Sequence, residues 1–264
     1  MSVRIDRQGP VTTVLIERPE HRNAVDPETA RALHRAFVRF ERDTEARVAV
    51  LTGAEGAFCA GFDLKALATG QREWLSELHF VDDPRDPPLG PMGPSRLSLS
   101  KPVIAAVNGP AVAGGMELAL WCDFRVMEEQ AFMGVFCRRW GVPLVDGGTV
   151  RLPRVVGMGR AMELILTGRQ VEADECLRIG LCEYVVAAGE ARRTAESLAR
   201  EIARFPNHCM LADRRSVLAQ QGLPVNDALQ VEYRNGIPAI GAEGIEGANR
   251  FVDGLGRHGD FEEI

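Results

Sequence analysis

Residues 101–126, KPVIAAVNGPAVAGGMELALWCDFRV, limit what this chain can fold into more than any other stretch, because an apolar run passes through a glycine pair directly into a helical pattern. Residues 103–107 are short, rich in β-branched side chains and apolar on both faces, as a buried strand requires, and Lys101-Pro102 keeps a helix from running in. Asn108-Gly109-Pro110 ends the strand. After Ala113-Gly114-Gly115, the residues Met116, Leu118, Ala119, Leu120 and Trp121 favour a helix. The glycines therefore fall at a helix N-terminus, whose first N–H groups lack intrahelical acceptors and attract negative charge. Glu117, in the first turn, has two readings: a surface carboxylate stabilising the helix dipole, or an acid/base group beside an oxyanion site.

Residues 49–53 (AVLTG) are a second apolar strand ending in glycine, and residues 57–64 (AFCAGFDL) again lead through small residues towards a helix. Two such loops can bring two backbone N–H groups onto one oxygen, the geometry that holds a thioester carbonyl as it becomes an enolate. One donor of this kind is worth roughly 3 to 4 kcal/mol of transition-state stabilisation.

FCAGFDLKAL, VNGPAVAGGMELALWCDFRV and the earlier RPEHRNAVD stand in the order and at the spacing of the enoyl-CoA hydratase/isomerase (crotonase) family, which the chain resembles over nearly its whole length. The resemblance implies an α/β fold: a twisted sheet of ββα repeats with flanking helices and a helical C-terminal region. It makes the N–H groups of Phe62 and Gly114 the oxyanion hole and Glu117 the first of two catalytic carboxylates. It further implies that Arg22, Ala60, Phe62, Asp63, Leu64, Lys65 and Gly114 lie along the CoA thioester, and that residues 82–95 cover the acyl group. It divides the chain into a core over 1–190 and a helical region over 191–264 that packs on a neighbouring subunit in a homotrimer or hexamer. There Phe251, Arg257 and His258 are candidates for CoA contacts.

Several of these residues also have purely structural readings. Arg22 also reads as part of a solvated basic loop, Lys65 as a solvated surface lysine, and Asp63 as support for a helix start through backbone hydrogen bonds. Residues 82–95 (DDPRDPPLGPMGPS) are too rich in proline and glycine for regular structure and read as a mobile loop.

The pattern departs from the family around residues 131–149. Where most hydratases carry Pro-Glu, an ungapped register from Gly134 to Gly147-Gly148-Thr149 places Phe136-Cys137, so the second carboxylate is missing. Cys137 reads as a small filler, although Arg138 and Arg139 would lower its thiol pKa if they faced it. Asp146 lies in the glycine-rich segment where some members carry an extra acidic residue, one position away in this register. It reads either as a catalytic carboxylate or as the N-cap of the helix from Thr149.

With 264 residues and 45% hydrophobic content the chain can bury a sizeable core. A net charge of −6 without a basic run argues against nucleic acid, and no apolar run approaches membrane-spanning length. Six cysteines without CxxC spacing suit reduced thiols and a cytoplasmic protein. No HExxH or clustered His and Cys suggests a metal, and no G-x-S-x-G a serine hydrolase. The function expected is hydration of a 2-enoyl-CoA, without a cofactor beyond the CoA of the substrate. Double-bond isomerisation by Glu117 alone and non-catalytic acyl-CoA binding are the alternatives.

Overall fold

The computed structural model describes residues 2–69, 74, 78, 80 and 88–256. The chain forms two compact units, Met1–Ala199 and Arg200–Ile264.

The first unit is built on a six-stranded sheet in the order β1 (Val3–Gln8), β2 (Val11–Ile16), β3 (Val48–Gly53), β4 (Val103–Val107), β6 (Phe124–Glu128) and β9 (Tyr184–Val186). β1 and β2 pair antiparallel across the Gly9-Pro10 turn, and every other pair is parallel. β2, β3 and β4 are buried along their full length and apolar apart from Thr12, Thr13 and Thr52, as suits strands covered on both faces. A second sheet of β5 (Ala111–Val112), β7 (Phe132–Gly134) and β8 (Gln170–Glu172) stands beside the site.

Helix α1 (Pro27–Arg42) starts where Asp26 and Pro27 predict, with the Asp26 carboxylate accepting from Thr29 N–H at 2.8 Å, and it buries Ala30, Leu33, Phe37 and Phe40. Lys101 closes its other end, donating from Nζ to the Phe40 carbonyl at 3.0 Å and the Asp43 carbonyl at 2.5 Å. Asp63 caps α2 (Leu64–Ala68), accepting from Lys65 N–H at 3.0 Å. The Arg18 guanidinium joins these two helix starts, 3.0 Å from Asp26 and 3.2 Å from Asp63.

The remaining elements of this unit are α3 (Gly114–Trp121), α4 (Gly148–Val156), α5 (Met158–Thr167), α6 (Ala173–Arg178) and the start of α7 (Ala191–Arg204). Ala191, Ala195 and Ala199 of α7 are buried. The second unit holds α8 (Asn207–Ala219), α9 (Val225–Ala239), a π-helical turn Ile240–Gly244 and α10 (Ile245–Val252). Glu243 ties the turn to the start of α8, accepting from Cys209 N–H at 2.9 Å and meeting His208 Nδ1 at 3.0 Å. Among the described residues no helix is long and apolar enough to cross a membrane.

Two expectations change here. Of residues 82–95, 82–87 lie outside the described residues, but the rest is ordered: Pro94–Arg96 is a 3-10 turn, Met92 and Ser95 are buried, and Gly90 and Gly93 exchange backbone hydrogen bonds of 2.9 and 2.8 Å. The prolines and glycines prevent a long element here without preventing a packed turn. Asp146 is not a helix cap. Gly147 caps α4, and the Asp146 side chain turns the other way.

Asn23 is fully buried with φ +58°, and its side chain holds the loop before α1 by accepting from Arg18 N–H and donating to the carbonyls of Ala54 and Ala57 at 2.8 and 2.7 Å. Replacing it with alanine strands these backbone groups in the interior. We expect Asn23→Ala to lower unfolding free energy by about 3 kcal/mol in urea titration. A loss under about 0.5 kcal/mol would show that the loop does not depend on this side chain.

Candidate active site

The glycine turn after β3 and the loop before α3 are paired with each other. Cys59 N–H donates to the Pro110 carbonyl at 3.1 Å and Val112 N–H to the Cys59 carbonyl at 3.0 Å. Gly61, at φ +94°, lies so close to the second loop that a Cβ there would sit 2.9 Å from Ala113 Cβ and 3.0 Å from the Gly114 nitrogen. The N–H groups around Phe62 are used: Ala60 donates to the Arg22 carbonyl at 3.0 Å, Gly61 to Cys59 Sγ at 3.4 Å and Asp63 to the Val25 carbonyl at 2.9 Å. Among the described residues the N–H groups of Phe62 and Gly114 have no acceptor. Gly114 is the first residue of α3, where an N–H has no intrahelical partner.

Phe62 and Gly114 line one cavity of about 210 Å³ together with Ala60, Leu64, Leu67, Pro91, Met92, Val112, Ala113, Glu117, Phe136, Cys137, Trp140, Val142, Pro143, Val145 and Asp146. Phe62 is held by a ring stack on Trp74, with centroids 5.6 Å apart and planes 13° from parallel.

Glu117 is 3% exposed, so the surface reading of this carboxylate is wrong. Its Oε1 accepts from Asp146 N–H at 2.9 Å and Gly148 N–H at 2.8 Å. Burial, then the charge of Asp146, pushes Glu117 up to about 7 against these two bonds. Asp146, 4% exposed, accepts on Oδ1 from Met92 N–H at 2.9 Å and from the Ser95 hydroxyl. Burial raises it above the ordinary aspartate value, while Ser95, Met92, Arg96 and Arg151 act to lower it.

Similarity to known proteins identifies the family. A model of the family described as enoyl-CoA hydratase/isomerase matches residues 6–252. The chain belongs to the enoyl-CoA hydratase/isomerase family. It is 36% identical to the enoyl-CoA hydratase EchA19 of Mycobacterium tuberculosis, over 94% of this chain and 92% of that protein. To a carnitinyl-CoA dehydratase of Salmonella typhi it is 34% identical, over 96% and 95% of the two chains. The crystal structure of enoyl-CoA hydratase EchA1 from Mycobacterium marinum superposes with a TM-score of 0.86 at 30% identity, covering 96% of each chain. This likeness bears out the crotonase fold that the sequence motifs predict.

In this family member Ala60, Phe62, Leu64, Gly114, Glu117 and Asp146 meet around the cavity. Asp63 is buried beside them, its carboxylate occupied by Arg18 and the α2 start. Arg22 and Lys65 are exposed, and their side chains have no hydrogen bond or ion pair among the described residues. Phe251 is exposed in the second unit, and Arg257 and His258 lie outside the described residues. Cys137 lines the cavity, but its thiol is raised by burial and then by Glu117. The reading of Cys137 as a small filler fits: Arg138 Nε donates to the Ile165 carbonyl at 3.1 Å, Arg139 lies 3.8 Å from the Phe136 ring centroid, and what Arg138 does to lower the thiol is outweighed by burial and Glu117. Sequence reading missed Ser95, Arg151 and Met92, whose roles depend on tertiary contacts. Among the described residues no group of three or more His, Cys, Asp and Glu is arranged to hold a metal.

The folded-state pKa of Glu117, about 7, lies above its ordinary 4.5. Between these values the unfolded chain binds fewer protons, so the carboxyl favours folding below pH 4.5 and loses that advantage as pH rises through 7. At about 1.4 kcal/mol per pKa unit, Glu117→Gln should make the protein more stable than wild type at pH 8 by roughly 3 kcal/mol. The gap should close below pH 4.5. Equal stabilities at pH 8 in parallel urea titrations would rule out a strained Glu117 carboxylate.

Proposed function

We propose that the protein is an enoyl-CoA hydratase, adding water across a 2-enoyl-CoA thioester. The observation that carries this reading is the meeting, in one cavity, of two acceptor-free N–H groups with two buried carboxylates. Phe62 and Gly114 N–H receive the thioester oxygen as it gains charge. Asp146, ionised, takes a proton from water while the hydroxide adds to Cβ. Protonated Glu117 gives its proton to Cα, collapsing the enolate, and the proton on Asp146 returns to Glu117. The pair thus supplies the base and the acid that hydration requires, without a contribution from Cys137. An isomerase needs only one proton-handling group, and a passive acyl-CoA binder needs none, so the second buried carboxylate favours hydration over both.

The reading uses no cofactor other than the CoA of the substrate. Exposed Arg22 and Lys65 suit its phosphates, and the backbone of Ala60, Leu64 and Gly114 suits the pantetheine. A cytoplasmic enzyme fits the free cysteines, five of which are buried. A homotrimer or hexamer is the assembly this reading expects, and Leu229, Tyr233, Ile237, Ile240 and Ile245, with apolar side chains 44 to 68% exposed on the second unit, suit a subunit interface. Light scattering should return three or six times the 28.9 kDa chain mass, and a monomer would refute this assignment.

Crotonyl-CoA and longer 2-enoyl-CoAs should lose their conjugated enone absorbance on addition of the protein. Glu117→Gln and Asp146→Asn should each lower kcat by about 10²- to 10⁴-fold, whereas Cys137→Ala should stay within about threefold of wild type. Conversion of 3-enoyl to 2-enoyl isomers without hydration would support the isomerase, and CoA-thioester binding without turnover the binder. Unchanged kcat in Asp146→Asn would remove Asp146 from the reaction.

A further inference from the structure

Asp146 does not stand in the cavity unaided. Gly90 and Gly93 exchange backbone hydrogen bonds, forming a tight turn with Pro91 and Met92 at its tip, and that turn presents Met92 N–H to Asp146 Oδ1. Ser95, 2% exposed, brings its hydroxyl to the same oxygen. Space for this hydroxyl exists only because residue 90 is glycine: a Cβ there would fall 2.0 Å from Ser95 Oγ and 3.2 Å from Asp146 Oδ1. Arg151 secures the arrangement from the far side, donating to the Asp146 carbonyl at 2.9 Å and the Ser95 carbonyl at 2.8 Å. One carboxylate oxygen is therefore saturated, and among the described residues no donor reaches Oδ2.

We propose that Ser95 is a positioning residue for the reaction, holding Asp146 ionised and oriented so that Oδ2 remains available as the base for water. This rests on the hydratase reading. The physical reason is that a carboxylate removed from water keeps its charge only where donors replace the lost solvent, and a hydroxyl aimed at one oxygen also fixes the plane of the group. The charged and titratable groups facing Asp146 are Glu117 from α3, Arg96 from the 3-10 turn, Arg151 from α4 and the Cys59 thiol from the first loop. Arg96 spends Nη1 on the carbonyls of Leu78 and Leu89, at 3.2 and 3.4 Å, and Arg151 spends its donors on backbone carbonyls. Ser95 is thus the side chain that donates directly to the Asp146 carboxylate.

The test compares wild type, Ser95→Ala and Ser95→Thr by the pH dependence of kcat/KM on crotonyl-CoA and, independently of turnover, by ¹³C-carboxyl NMR titration of Asp146. Losing a hydrogen bond to a charged group moves a carboxylate pKa by about one to two units. Ser95→Ala should therefore shift the acid limb and the NMR titration upward together by about that amount. Its kcat should fall about tenfold or more at pH 6 with KM within threefold, and Ser95→Thr should restore both profiles. Should Ser95→Ala fail to fold by circular dichroism, Ser95→Cys, which keeps the volume and weakens the donor, carries the same comparison. A Ser95→Ala profile superposing on wild type, or Ser95→Thr as impaired as Ser95→Ala, overturns the proposal. If wild type does not hydrate crotonyl-CoA or longer enoyl-CoAs, the hydratase reading fails, and the NMR arm still reports whether Ser95 sets the ionisation of Asp146.

Discussion

A carboxylate taken out of water loses several kcal/mol of solvation unless donors replace it. At Glu117 those donors are N–H groups 29 and 31 residues further along the chain. This pairing fixes α3 against the turn that begins α4, and so fixes the floor of the cavity. The compensation is partial, since the carboxyl remains at about 7 instead of its ordinary 4.5. A fully satisfied carboxylate would be a poor acid and a fully unsatisfied one would not ionise. The intermediate state is useful because a proton-transfer group works best when its pKa lies near the working pH.

The same turn serves both carboxylates. Asp146 gives its N–H to Glu117 and its side chain to the Met92–Ser95 segment, while its carbonyl accepts from Arg151. Three stretches far apart in sequence, residues 90–96, 114–121 and 146–151, are thereby locked into one unit. Arg18 does similar work on the other side, binding the caps of α1 and α2 and so holding the loop that carries Phe62. The acceptor-free N–H of Phe62 is flanked by donors already committed, those of Ala60, Gly61 and Asp63.

Individual strands, the glycine loops and two helix starts were legible because they depend on local pattern: apolar runs bounded by Gly, Pro and Asn, and helix caps at Asp26 and Asp63; the order of the strands in the sheet was not, because it depends on pairing between distant segments. Glu117 was legible as a candidate for the same reason, since its position in the first turn of a helix follows from the glycine pair. Its burial was not, because that depends on what the turn at 146–148 covers. Asp146 could be noticed but not assigned; a helix cap and a pocket carboxylate look alike when the helix start can shift by two residues. Ser95 and Met92 fell inside a proline- and glycine-rich run, where composition argues against regular structure yet says nothing of whether a tight turn packs into the core. The effect of the arginines after Cys137 stayed open in the sequence, because adjacency does not decide which way a side chain points.

The absence of a carboxylate at position 137 changes how the two proton-handling groups relate to each other. Glu117 and Asp146 are linked through the backbone, since Asp146 donates its own N–H to Glu117, and each lies within reach of the other's charge. Two buried carboxylates so placed cannot both ionise freely, and their titrations belong to the pair. With Glu117 pushed up to about 7, the pair retains a proton as pH falls below neutral. Water addition needs that condition, with one group empty to receive the proton of water and the other loaded to deliver one to carbon. In the proposed hydration the loads are exchanged after turnover, and a proton passing from Asp146 to Glu117 restores the start. A neutral thiol at Cys137 does not compete in this exchange, because burial and the nearby Glu117 charge hold it protonated. Under the hydratase reading, Asp146 supplies from the same cavity wall the second carboxylate that position 137 lacks.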